Sequence, residues 1–194
     1  MLKFESDLPR FKISNERIMT KNVFSFSLFL LTFFMSVLSC HAYSATIVDV
    51  RAGDLLVISA EGQAQTVRLY GVMCPVHGQP YHDKARLLVN HLTLQRNAEI
   101  TPLFNDEEGV SNVLVRIQGV KDYLNGQLVG YGMAWVKPVQ CKSRLCDEWR
   151  KLEELARKNL VGLWSEPYAV PPWEWRKAQR MEIYRRSQES PKKE

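Results

Sequence analysis

The chain has 194 residues, of which 45% are hydrophobic and 24% charged. That balance excludes global disorder and provides for one domain with extensions rather than two. A formal net charge of +5 favours acidic partners such as nucleic acid or an anionic surface, without selecting between them.

The amino-terminal part reads as an export signal. No charged residue occurs from Asn22 to Val48, Lys21 stands just before an apolar run from Val23 to Leu38, and Ser39-Cys40-His41-Ala42 supplies small residues for processing. The run is shorter than the roughly 20 residues that a spanning helix needs. Residues 1–45 are therefore expected to be an amino-terminal extension and secretory signal, with translation starting at Met19 and the mature protein periplasmic or secreted. An uncleaved anchor, or lipidation at Cys40, would instead tether it to the membrane. In an oxidising compartment Cys141 and Cys146 are expected to form a disulfide, and such a short loop would stabilise by about 2 kcal/mol. Cys74 is then left over, either buried or exposed and reactive.

The mature chain begins with strands. Ile47–Val50, Asp54–Ile58 and a stretch from Gln65 toward Pro75 alternate in apolar character and are joined by turns at Ala52-Gly53 and Glu61-Gly62. In the third, Val67 and Leu69 share one face, with Arg68 and Tyr70 on the other; Pro75 then ends the extended run. From Tyr81 to Gln95, Ala85, Leu88, Val89 and Leu92 recur at helical spacing. Ala98–Phe104 and Ser111–Gln118 read as two further strands on either side of the acidic turn Asn105–Gly109. Five strands with one helix inserted after the third predict a small closed barrel of the OB type.

The rest is mostly helical. Tyr123–Gly132 reads as a short helix ended by glycine, and Met133–Val136 as an extended apolar piece. Asp147–Leu160 reads as an amphipathic helix with Trp149, Leu152, Leu155 and Ala156 inward. A last segment starts at Pro171-Pro172, and residues 178–194 are expected to form a basic, solvated, partly irregular tail. The five tryptophans are best read as packing anchors, although exposed ones could stack on bases.

The order of these pieces resembles the staphylococcal nuclease (thermonuclease-like) family. The marks are Ala52-Gly53-Asp54, Val67-Arg68-Leu69-Tyr70-Gly71-Val72 before a proline, Gln79-Pro80-Tyr81 leading into a helix, Leu128–Val136, Glu154–Trp164 and Pro171–Arg176. The resemblance places the domain at residues 46–177. It implies an α+β, mainly β fold, a five-stranded OB barrel capped by about three helices, and calcium-dependent cleavage of DNA and RNA.

That reaction needs oxygen ligands for a hard cation, a carboxylate to act on the attacking water, and two arginines against the charge building on phosphate. By the resemblance, Asp54 stands where one metal aspartate belongs and Arg68 where the first arginine belongs. Met73 replaces the second aspartate, Val76 the glutamate after the proline, and Glu108-Gly109-Val110 the loop that carries the second arginine. Loss of a general base alone costs about 10²–10⁴-fold, and loss of one charge-stabilising donor about 10²–10³-fold. His77, with His82 and Asp83, flanks the same loop and offers a relocated base or a His-and-carboxylate metal site. Polar residues on an exposed loop are more often solvent-facing. Arg116 stands six positions beyond the lost arginine. Asp54 and Arg68, without the rest of the site, could simply pair with each other.

The expected function is thus an exported nuclease-fold protein, catalytically impaired, that binds nucleic acid, another anionic ligand or an envelope protein through Arg68, Asp54 and His77. Arg68 is its retained catalytic position and Asp54 its metal position, with Ca2+ as cofactor if that site survives. The rivals are an active divalent-metal-dependent nuclease with a rearranged site and a purely structural envelope protein.

Overall fold

The computed structural model describes residues 42–189, so the export signal, the start at Met19 and Cys40 lie outside the described residues. The elements in order are β1 Tyr43–Ala52, β2 Leu55–Ala60, β3 Gln63–Leu69, β4 Val72–Met73, α1 His82–Thr93, β5 Asn97–Asn105 and β6 Ser111–Ile117. They continue with α2 Leu124–Gly130, β7 Trp135–Val136, α3 Arg144–Lys158, a 3-10 turn Gly162–Ser165 and α4 Pro172–Glu189. No helix among the described residues is long and apolar enough to cross a membrane.

Five strands close into a barrel in the order β1-β2-β3-β6-β5. All neighbours run antiparallel except β3 and β6, which are parallel. The expected barrel is therefore present, because the period-2 alternation of these segments has one outcome: Ile47, Leu56, Val67, Leu69, Val113 and Val115 are fully buried inside it. α1 packs Ala85 and Val89 into the same core.

The stretch expected to run from Gln65 to Pro75 is broken. β3 ends at Leu69, and Gly71 turns the chain with φ at +73°. A Cβ on Gly71 would lie 2.4 Å from Cys141 Sγ, so only glycine fits both the backbone angle and the space. The chain resumes as β4, which pairs with β7 in a separate two-stranded sheet through Val72–Val136 and Met73–Trp135.

Asn125 of α2 anchors that break from below. Fully buried, it accepts the Val115 N–H at 3.1 Å and donates to the carbonyls of Tyr70 at 3.0 Å and Val113 at 3.1 Å. One amide thereby bonds three backbone groups at the barrel closure, the Val113 carbonyl also accepting the Tyr70 N–H at 2.9 Å.

Cys141 and Cys146 are bridged as expected, with Cα atoms 5.5 Å apart. The bridge straddles the start of α3, which begins three residues before the expected Asp147. α3 is also rotated relative to the expected face. Trp149 and Ala156 point inward, but Leu152 and Leu155 are exposed, and Glu153 is buried in their place. Glu153 earns that position by accepting the Val136 N–H at 3.4 Å and pairing with Arg157 at 2.7 Å. The carboxy-terminal end also differs from expectation: α4 continues to Glu189 instead of giving way to an irregular tail after residue 177. Its first turn carries Glu174, and four arginines and lysines follow by Arg185, so the segment is solvated and charged yet helical.

Candidate functional site

The β1–β2 turn and β3 place Asp54 and Arg68 at one end of the barrel. The Leu69 N–H donates to the Asp54 carbonyl at 2.9 Å, and Leu55 pairs with Arg68 across the sheet. Gly53 makes the turn possible, since a Cβ there would lie 2.7 Å from Cys74 Sγ and 3.1 Å from Ala85 Cβ. This answers the question over Cys74. It is fully buried against that turn, and burial, followed by the Asp54 charge, pushes its thiol well above the ordinary range. Such a thiol is inert.

Arg68 does not pair with Asp54. Its Nε donates to Asp106 Oδ2 at 3.2 Å, and its Nη2 reaches Glu108 Oε2 at 3.5 Å. Asp106 is held for this role: its other oxygen accepts the Val110 N–H at 2.8 Å, and Asn112 adds a longer contact at 3.4 Å. Desolvation pushes the Asp106 carboxyl upward. The Val110 N–H and the Arg68 guanidinium outweigh it and hold the group below the usual carboxylate range. The acidic turn thus places a carboxylate on Arg68, and the chain position of the missing second arginine, Val110, supplies only a backbone N–H.

Asp54 is 6% exposed and has no ion pair within 4.0 Å among the described residues. Burial raises its carboxyl above the ordinary value. The cations that oppose this are Lys137 first, then Arg68 and, more weakly, Arg176. Lys137 follows β7, and its N–H donates to the Gly71 carbonyl at 2.8 Å. Burial holds its ammonium below the usual lysine range; Asp54 works against that, while Arg68 and Arg176 reinforce it. Asp54, Lys137 and Arg68 thus act on one another electrostatically, with Arg176 and Asp106 contributing more weakly from α4 and the acidic turn.

The remaining expected residues are elsewhere. Met73 is buried and Val76 half-buried, and the Val76 N–H donates to Gln79 Oε1 at 3.1 Å. His77 is exposed on that loop and meets the His82 ring edge-on at 5.7 Å, while His82 Nδ1 lies 3.0 Å from Asp83. No contact joins either histidine to Asp54 or Arg68 among the described residues. Arg116 pairs with Glu99 at 3.1 Å and covers the Tyr123 ring at 4.4 Å, which accounts for it as a surface residue of β6.

The buried Gln79 also donates to the Val170 carbonyl and borders a cleft of about 150 Å³ lined by Tyr81, Trp135, Tyr168 and Trp175. Tyr168 is 91% exposed, whereas Trp135, Trp149 and Trp164 are buried packing anchors. α4 borders the same loop: Gln179 Nε2 lies 3.7 Å from where a Cβ on Gly78 would stand.

Calcium does not suit this donor set. Asp54 offers a single carboxylate, the position expected to supply the second presents a buried thioether, and the strongest electrostatic neighbour of Asp54 is itself a cation. Among the described residues no group of three or more His, Cys, Asp or Glu is placed to hold a metal ion.

Lys137, Arg176 and Asp106 were not singled out by sequence reasoning. The one visible signal was for Lys137, a lysine directly after an apolar two-residue strand and before a proline.

Comparison with known proteins agrees with the architecture. The pattern of the family described as "Staphylococcal nuclease homologue" matches residues 66–166. The chain is 30% identical over 139 residues to "Protein ParB" of Escherichia coli, covering 68% of this chain and 77% of that protein. It is 28% identical over 145 residues to "Micrococcal nuclease" of Shigella flexneri, covering 70% and 82% respectively. An "Uncharacterized endonuclease" of Haemophilus influenzae is 23% identical over 158 residues, covering 81% and 86%.

Proposed function

This chain belongs to the staphylococcal nuclease homologue family, and we propose that it is an exported, catalytically impaired member that binds nucleic acid through the mouth of its barrel. The observation that carries this reading is the site composition. The charges that act on buried Asp54 are Lys137, Arg68 and, more weakly, Arg176, with Asp106 and Glu108 paired to Arg68, while Met73 and Val76 stand where, by the family resemblance, the reaction needs carboxylates. Cations can hold a phosphate in place. Without a proton acceptor after Pro75 they do not activate water. The aromatic cleft beyond Gln79 supports the choice of nucleic acid over a small anion, because exposed rings such as Tyr168 give bases a surface to stack on.

Export is supported by the uncharged stretch from Asn22 to Val48 and by the Cys141–Cys146 bridge, which an oxidising compartment would preserve. On this reading the export segment is removed or serves as an anchor, and its boundary lies before residue 45, since Tyr43, Ser44 and Ala45 pair with β5 as the start of β1; the barrel domain then acts outside the cytoplasm.

The test is binding of a labelled single-stranded oligonucleotide across a salt series. A phosphate-binding cleft gives affinity that falls steeply with salt, and Arg68→Ala weakens binding about tenfold while lowering the salt slope by about one. Salt-independent binding, or none at low salt, would favour the envelope-protein reading instead.

A further inference from the structure

The cleft beside Gln79 is assembled from the loop before α1, from β7, from the loop after the 3-10 turn and from α4. Its volume is about 150 Å³, and Tyr81, Trp135, Tyr168 and Trp175 line it. Exposure climbs across those rings: Trp135 is 2% exposed, Tyr81 and Trp175 are half-buried, and Tyr168 is 91% exposed. The cleft is therefore closed at its Trp135 end and open to solvent at Tyr168. Asp54, Arg68 and Lys137 are not among its lining residues, so it is a separate place from the barrel mouth. The Met73–Trp135 pairing sets it directly beside β4, which leads away from that mouth.

Hydrogen bonding around the cleft is uneven. Gln79 is engaged at both ends of its amide, accepting the Val76 N–H at 3.1 Å and donating to the Val170 carbonyl. The Tyr81 hydroxyl is engaged with Ser165 Oγ at 2.8 Å. By contrast, the Nε1 atoms of Trp135 and Trp175 are both buried and have no partner among the described residues. Buried donors of this kind are rare and unfavourable, and a guest that brings an acceptor into the cleft relieves them.

Charge and size select the guest. Glu166 is the only charged side chain lining the cleft among the described residues, which disfavours a phosphate inside it. A cationic guest is opposed by Lys84, whose Nζ already stands over the Tyr81 ring at 4.1 Å. A neutral flat ring with a carbonyl oxygen meets both conditions. An engineered apolar cavity of about 150 Å³ takes one benzene, so a single six-membered ring fits this space and part of a fused pair stays outside. Cytosine, thymine and uracil are single rings that share the O2 carbonyl, and every base has a π-face for stacking. We propose that this cleft is a pyrimidine subsite, taking one base of a single strand against Trp175 and Tyr168 with its O2 toward the two indole N–H groups. This rests on the nucleic-acid reading above and deepens it, adding a choice of base that phosphate contacts do not make.

The experiment uses the full chain, isotope-labelled, with three single-stranded DNA oligonucleotides at low salt: one wholly abasic, one abasic with a single thymine, one abasic with a single adenine. The indole N–H resonances report the cleft, those of Trp135 and Trp175 being assigned through Trp135→Phe and Trp175→Phe. The thymine oligonucleotide is expected to bind about tenfold tighter than the abasic one and about fivefold tighter than the adenine one, and to move both resonances. Tyr168→Ala is expected to remove most of the thymine gain while leaving the abasic oligonucleotide unaffected, and Tyr168→Phe to keep it. Equal affinity of wild type for the thymine and abasic oligonucleotides overturns the proposal, as do indole resonances that stay in place when the thymine oligonucleotide binds. A folded Tyr168→Ala that binds all three like wild type also overturns it; if that variant does not fold, the wild-type ratios and resonances decide. Failure of the underlying reading looks different: no oligonucleotide then binds, the abasic one included, and both readings fall.

Discussion

Asp54 and Asp106 are both acids close to Arg68, and their surroundings drive them in opposite directions. Asp106 is exposed enough to be solvated and is held in its charged form by the Val110 N–H and the Arg68 guanidinium. Asp54 is buried, and that burial outweighs the cations around it, so its carboxyl is raised. A raised acid favours folding only while protonated. Its contribution is fully present below the unfolded value near 3.9 and is lost as pH rises through the folded value. Charged Asp54 is therefore a stability cost at neutral pH. Asp54→Asn is expected to raise the melting temperature at pH 7, and the advantage is expected to disappear as pH falls to about 4. Melting curves of the two proteins across that range check the prediction; an Asn variant less stable than wild type at pH 7 would mean that Asp54 is held by its cations more strongly than burial opposes it. A group retained at a cost to stability is common at binding sites.

Arg68 was legible in the sequence as a cation on an alternating strand, and Asp54 through the family resemblance of its glycine turn. Lys137 and Arg176 were not, because nothing in a strand or helix period links positions 54, 68, 137 and 176. Only the closed barrel brings them together. The pairing of Arg68 was misjudged for a related reason. Asp106 belongs to a turn whose acidic run reads as solvated, and its reach to β3 depends on the parallel β3–β6 pairing.

At the level of elements, the strands were well legible and the helices less so. Strand faces follow a period of two, and burial of Val67, Leu69, Val113 and Val115 satisfies it directly. For α3 the apolar residues alone misplace the face, because Glu153 is buried to serve the Val136 N–H while Leu152 and Leu155 face solvent. The break at Gly71 was equally hidden, since it depends on the disulfide and Trp149 packing where a side chain would be. Asn125 is the element-scale feature with the clearest energetic consequence. Asn125→Ala leaves the Val115 N–H and the Tyr70 carbonyl without this partner, while the Val113 carbonyl keeps the Tyr70 N–H, which predicts a loss of about 2–3 kcal/mol in unfolding free energy. Chemical denaturation measures it directly, and a loss below about 1 kcal/mol, the worth of one ordinary hydrogen bond, would mean that water or backbone movement replaces the amide.

Over the whole molecule, the barrel, its helical caps and the disulfide show that a nuclease fold has been kept while the mouth has changed. The scaffold still directs Arg68 and Asp54 to one place. What surrounds them is a lysine, a second arginine and a pair of acidic side chains, rather than paired metal carboxylates and a base. Stability does not explain that exchange, because a charged Asp54 and a half-buried Lys137 are both unfavourable in isolation. The phosphate binding proposed above accounts for it.

A cleavage assay on the purified chain, with single-stranded DNA, double-stranded DNA and RNA in millimolar calcium, decides whether the barrel mouth still catalyses. No cleavage above the protein-free control is expected, consistent with losses of about 10²-fold or more for each missing catalytic group, and no difference between wild type and Arg68→Ala. Calcium-dependent cleavage by wild type that Arg68→Ala abolishes would contradict it.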